Sequence, residues 1–226
     1  MSKISIAEPD LMNITNTAGE TFIGGSQDWY TDSWHKKSGC GPVAACNLMW
    51  YLFRKNNLKS DYPDSSDYSD SPAYSGYSGY SDYLNIMTEM FGFVTPTFKG
   101  VDSSDIFVNG IMNYTSKHNI IIKPYTLEIP KKKGDRPNDD ALKEFISTAL
   151  KSDSPVAFLN LSNGTVSLLE NWHWVTIIAI DPDTMMTDII DYGKTITINI
   201  SEWLKTSMLG GALVYLKEAE QLIENV

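Results

Sequence analysis

Three residues of this chain combine a reactive side chain with a telling position: a cysteine, a histidine and an aspartate. Cys40 lies in Ser38-Gly39-Cys40-Gly41-Pro42, directly ahead of Val43-Ala44-Ala45-Cys46-Asn47-Leu48-Met49-Trp50-Tyr51-Leu52. Apolar residues recur there at three- and four-residue spacing, which predicts an amphipathic helix over about 41–55. Pro42 suits the first turn, where its missing N–H is not needed. Gly39 and Gly41 leave room beside the sulfur. Cys40 is therefore expected at a helix N-terminus. The dipole and free N–H groups there favour a thiolate and can help to hold an oxyanion. Cys46 follows on nearly the opposite helix face without glycine flanks, and reads as core packing. Two cysteines so placed on one helix cannot bridge.

His173 opens the strand-like run His173-Trp174-Val175-Thr176-Ile177-Ile178, where a polar ring must be satisfied or functional. The next apolar strand ends in Ile189-Ile190-Asp191-Tyr192-Gly193. A carboxylate in that position is rarely there for packing. On neighbouring strands, Asp191 is expected to accept the imidazole Nδ1–H, fixing the tautomer and stabilising an imidazolium. Asp181-Pro182-Asp183 supplies competing acids, but reads as turn chemistry. The other histidines are weaker candidates: His118 as a solvated residue at a helix end, His35 in a polar loop. A lone cysteine is more often a small buried hydrophobe than a nucleophile. Thiol, imidazole and carboxylate in this order are much more specific together, and describe a Cys–His–Asp triad.

The elements that must position these groups follow from periodicity. Helices are predicted over about 83–91, 103–117 and 138–150, with a short one at 201–204. Strands are predicted over about 120–127, 156–161, 172–180, 186–191, 195–200 and 212–216. Gly193 is expected in the tight turn of a hairpin. Helices fill the first half and strands the second, which predicts an α+β fold with an antiparallel sheet. Residues 1–226 are expected to form one domain. The Tyr/Ser/Asp/Gly-rich stretch at about 60–82 cannot build a core and reads as a surface loop, or as a tyrosine-rich lid.

A formal charge of −10 argues against nucleic acid and against an anionic membrane surface. No Cys/His spacing resembles a structural zinc site, and the chemistry calls for no metal or organic cofactor. The first ten residues contain no apolar segment of a signal peptide, and no apolar run is long enough to span a bilayer. A soluble, cytoplasmic protein is expected, with secretion left open.

The stretches Gly39-Cys40-Gly41-Pro42-Val43-Ala44-Ala45, His173-Trp174-Val175-Thr176 and Asp191-Tyr192-Gly193 resemble the papain-like cysteine peptidase superfamily. They are most similar to its bacterial C39-like peptidase branch, and the resemblance spans roughly residues 27–216. It implies a papain-like fold, a helix bearing the nucleophile packed on an antiparallel sheet bearing histidine and aspartate. It implies Cys40 as nucleophile, His173 as general base and acid, and Asp191 as the orienting residue, acting on a peptide or protein substrate. It also implies a glutamine completing the oxyanion hole with the Cys40 N–H. Gln27, in Gln27-Asp28-Trp29, is the candidate. Many papain-like enzymes carry that glutamine nearer the cysteine, where this chain has Trp34. Three outcomes stay open: amide hydrolysis, transfer of the acyl group to an amine as in transglutaminases, and a non-catalytic peptide-binding module. Trp29, Trp34, Trp172 and Trp174 are candidates for either cleft or core.

Overall fold

The computed structural model describes residues 2–60 and 79–218. In chain order the elements are β1 (Ile4–Ser5), β2 (Asn13–Thr15), β3 (Thr21–Ile23), α1 (Ser33–Ser38), α2 (Cys40–Ser60), α3 (Tyr80–Phe93), α4 (Ser104–Lys117) and β4 (Ile122–Ile129). They continue with α5 (Asp139–Lys151), β5 (Val156–Asn160), β6 (His173–Ile180), β7 (Met186–Asp191), β8 (Lys194–Asn199), α6 (Ile200–Thr206) and β9 (Gly211–Glu218). The fold is α+β. Its main sheet runs β4-β9-β5-β6-β7-β8, with every neighbouring pair antiparallel, and β1 adds to the far end of β6 through Ile4 opposite Ile180.

Alternate side chains of the central strands enter two separate cores, as the two-residue period of a strand dictates. Ala157, Leu159, Trp174 and Val214 join α2, α3 and α4. Val156, Phe158, Ile177 and Leu213 join α5 and α6 on the opposite face. Every residue of β5 and β6 is buried. The sheet is thus covered on both faces, which the division into a helical half and a strand half did not anticipate.

The helix expected to be amphipathic is instead enclosed: residues 38–53 are all buried. It packs against α3 and α4 as well as against β5 and β6, so no side of its first half reaches water. A helix that is apolar around most of its circumference requires this placement. Residues 1–26, which read as an irregular or short-stranded lead-in, carry the short strands β1, β2 and β3, and the one short piece not legible in the sequence is α1, which ends one residue before α2 begins. From 61 to 78 the tyrosine-rich stretch lies outside the described residues. Its end is not loop, because Tyr80–Asp82 form the first turn of α3. The Asp82 carboxylate accepts the Gly79 N–H at 3.1 Å, and Tyr80 packs edge-on against Trp29. Such a side-chain acceptor satisfies a donor that a helix start leaves without an intrahelical partner. Among the described residues, no helix is long and apolar enough to cross a membrane.

Candidate active site

Gly39 alone separates α1 from α2, so Cys40 stands at a corner as the first residue of α2. The corner is tight. A Cβ on Gly39 would lie 2.5 Å from the His35 carbonyl oxygen and 2.5 Å from the Tyr30 ring. A Cβ on Gly41 would lie 2.7 Å from the Val101 side chain. The glycines beside the cysteine are therefore demanded by packing on two sides. The Gly39 carbonyl accepts the Val43 N–H at 2.9 Å and starts the helix, and Pro42 occupies its first turn as expected. Cys40 is 8 % exposed and lines a cleft together with Gln27 and His173.

β6 and β7 are hydrogen-bonded neighbours, with Thr176 opposite Ile190, which brings the start of one strand to the end of the other. His173 Nε2 lies 2.7 Å from Asp191 Oδ1, and both side chains are nearly buried. This corrects the expected nitrogen, which was Nδ1. The far ring nitrogen is the one that reaches the neighbouring strand, and Nδ1 is left for the thiol. Burial disfavours the charged imidazole, but the hydrogen bonds to Asp191 and Cys40, with the charges behind them, prevail. They raise the His173 pKa to about 10. At neutral pH the site therefore holds an imidazolium between the Asp191 carboxyl group and the Cys40 sulfur.

Two bulky residues in left-handed backbone conformation flank this pair, Trp172 at φ 58° and Tyr192 at φ 46°. Such conformations are uncommon for bulky side chains and cluster where a site needs an unusual chain path. Tyr192 and Gly193 (φ 73°) form the two-residue turn that closes the β7–β8 hairpin between Asp191 and Lys194. Positive φ at both central positions matches the right-handed twist of the strands. The Tyr192 ring stacks on His173 with centroids 5.5 Å apart. Its hydroxyl donates to Glu170 Oε2 at 3.3 Å and accepts from Gln27 Nε2 at 3.2 Å. Gln27 Oε1 is buried without a protein hydrogen-bond partner. Gln27 begins a 3-10 turn, Gln27–Trp29, whose preceding residue Ser26 caps it through the Asp28 N–H.

Asn47 was passed over in the sequence, and it ties the site together. Its Oδ1 accepts the Gly25 N–H at 2.9 Å and the Tyr83 hydroxyl at 2.7 Å, and its Nδ2 donates to Thr176 Oγ1 at 3.1 Å. One buried amide thus links the helix of Cys40, the segment leading to Gln27 and the strand of His173. An amide inside an otherwise apolar helical run, two turns beyond the cysteine, was the available signal.

The structure therefore brings Cys40, His173, Asp191 and Gln27 together. Cys46 is fully buried in the core, its thiol near the Tyr83 carbonyl and pushed up by burial. Asp181 caps its own turn by accepting the Asp183 and Thr184 N–H groups. His35 is not in a loop but in α1, stacked on Phe91 with centroids 3.7 Å apart. His118 does end α4, yet it is paired with Glu89 at 3.0 Å rather than simply solvated. The tryptophans divide. Trp174 is core, stacked on Phe107 with its N–H on the Val101 carbonyl, and Trp29 packs among Phe22, Tyr80 and Tyr83. Trp34 and Trp172 line the cleft. Among the described residues, no cluster of His, Cys, Asp and Glu could hold a metal ion. No protein-family model matches the chain, and no curated protein matches it.

Proposed function

We propose that this protein is a papain-like cysteine peptidase or amide hydrolase of the C39-like kind, acting on a peptide or protein through a Cys40 acyl-enzyme. The observation that carries the reading is the position of His173, which lines one cleft with Cys40 and lies 2.7 Å from the Asp191 carboxylate. A buried helix with the thiol at its first residue, lying on the sheet that presents the other two groups, supports the same reading.

The chemistry follows from these positions. The Cys40 sulfur, as a thiolate paired with the His173 imidazolium, attacks the amide carbonyl carbon. The carbonyl π electrons move to oxygen. The Cys40 backbone N–H and Gln27 hold that oxyanion; one Nε2 hydrogen is engaged by Tyr192, and the second is free to donate. Collapse expels the amine, which takes the proton from His173. Neutral His173 then removes a proton from water, whose oxygen attacks the thioester. The carboxylic acid departs and the thiolate–imidazolium pair returns. Asp191 keeps the ring oriented and supports its charge throughout.

The test uses N-acyl amino acid 4-nitrophenyl esters with intact-protein and peptide mass spectrometry, followed by a digest of a mixed peptide pool. A burst of nitrophenol, an acyl group on Cys40, and peptide cleavage lost in Cys40→Ala are expected. Adding a primary amine separates hydrolysis from transfer, because a transferase forms the amide as its main product. A folded protein that neither acquires an acyl group on Cys40 nor cleaves any peptide refutes the proposal.

A further inference from the structure

The cleft outside Cys40 has a volume of about 430 Å³. That is within the range of roughly 300–1,000 Å³ that encloses most of a small ligand. Its walls are unusual for this molecule. Trp34, Phe98 and Trp172 are 42 %, 86 % and 48 % exposed, and all three line it. Among the described residues, they are the only phenylalanine and tryptophan side chains so exposed. Folding gains nothing from aromatic surface left in water, so three such rings around one cleft mark a contact surface. Trp172 carries a second sign, since its left-handed backbone holds the ring outward immediately before His173. The charge pattern is equally local. The chain as a whole is strongly acidic, yet Lys37 and Lys99 line this cleft. Among the described residues neither forms an ion pair, and the Lys99 ammonium lies over the Phe98 ring at 5.5 Å. The one carboxylate on this wall, Glu170, already accepts the Tyr192 hydroxyl.

Resting on the hydrolase reading, we infer that this cleft selects a peptide with an aromatic residue beside the scissile amide and an acidic residue next to it. The aromatic ring stacks among Trp34, Phe98 and Trp172, gaining contact area at little entropic cost. The carboxylate meets Lys37 and Lys99, whose field also favours its approach to an otherwise repulsive acidic protein.

The test measures binding of blocked peptides to the full-length Cys40→Ala protein by calorimetry, and turnover of the same peptides by the wild type. The peptides carry Phe-Asp, Ala-Asp, Phe-Lys or Ala-Lys at the two positions. The Phe-Asp peptide is expected to bind about tenfold tighter than either single exchange, the scale of one well-placed aromatic anchor. Trp172→Ala should remove the preference for Phe and keep that for Asp; Trp34→Ala replaces it if Trp172→Ala does not fold. Lys37→Glu with Lys99→Glu should reverse the preference for Asp. Equal affinities across the set, or preferences untouched by these substitutions, overturn the inference. Indiscriminate turnover by the wild type also overturns it and leaves the hydrolase reading intact. Binding preferences without any acyl-enzyme on the wild type sink the hydrolase reading, and the inference with it.

Discussion

The pairing of Cys40 with His173 predicts how the thiol reacts across pH. An ordinary thiol ionises near pH 8.5, so only about 0.3 % is thiolate at pH 6. A sulfur fully ionised there gains about 300-fold in reactive fraction. A thiolate of that lower basicity is also a poorer nucleophile, by roughly 30-fold, which leaves a net advantage of about tenfold. Cys40 is 8 % exposed, so restricted access slows every rate, and the proper reference is the same site in His173→Ala. Cys46, with no exposure, is an internal blank that should stay unmodified while the protein is folded. Labelling with iodoacetamide, read residue by residue by peptide mass spectrometry, is expected to modify Cys40 at pH 6 about tenfold faster in the wild type than in His173→Ala. That advantage should fade near pH 10, where His173 loses its proton. The reasoning is refuted if the wild type and the variant are labelled at the same rate at pH 6, or if their difference persists unchanged above pH 10.

Further outcomes follow from neighbouring residues. Asn47→Leu leaves the Gly25 N–H, the Tyr83 hydroxyl and Thr176 Oγ1 without their buried partner. Urea unfolding should register a loss of about 2–4 kcal/mol, and Cys40 labelling at pH 6 should slow even where the protein remains folded. Gly41→Ala drives a methyl group into Val101 and should cost about 1–3 kcal/mol. Combined with Val101→Ala it should cost less than the two single changes added together, as a double-mutant cycle by urea unfolding would show. The raised pKa of His173 also makes stability depend on pH. The folded value, about 10, exceeds the unfolded value near 6.5, so the stabilisation is fully present below about pH 6.5 and is lost as pH rises through about 10. Wild-type stability should therefore fall relative to His173→Ala over that window in urea titrations, and a parallel course would contradict the assignment.

Much of this site could be read along the chain because its signals are local. Gly-Cys-Gly-Pro marks a helix start by its own chemistry, and the β7–β8 turn shows itself in Gly193. His173 and Asp191 stand at the ends of runs whose period is plain, so their adjacency needed only the pairing of consecutive strands. What escaped depends on contacts between distant segments. Which imidazole nitrogen faces Asp191 depends on how β6 and β7 lie side by side, not on the order of residues. The sheet is covered on both faces because α5 and α6 fold back over it, and no single window of sequence records that. Nothing adjacent to Asn47 in the chain shows its partners; its role exists only once Gly25, Tyr83 and Thr176 surround it. His35 was misread because α1 is short and its stacking partner, Phe91, belongs to another helix.

The place of β9 in the sheet has a consequence for how the protein is made. β9 comes last among the described strands, yet it lies between β4 and β5. Until it emerges, β5, whose residues are all buried in the finished fold, has one edge without a partner. At a synthesis rate of about 5–20 residues per second, the roughly 50 residues from Asn160 to Gly211 take about 3–10 s. For that interval a strand that is apolar from Val156 to Leu159 offers its backbone to any neighbouring chain. Nascent chains stalled before β9 should therefore aggregate, and the yield of soluble protein should depend on translation speed through this stretch.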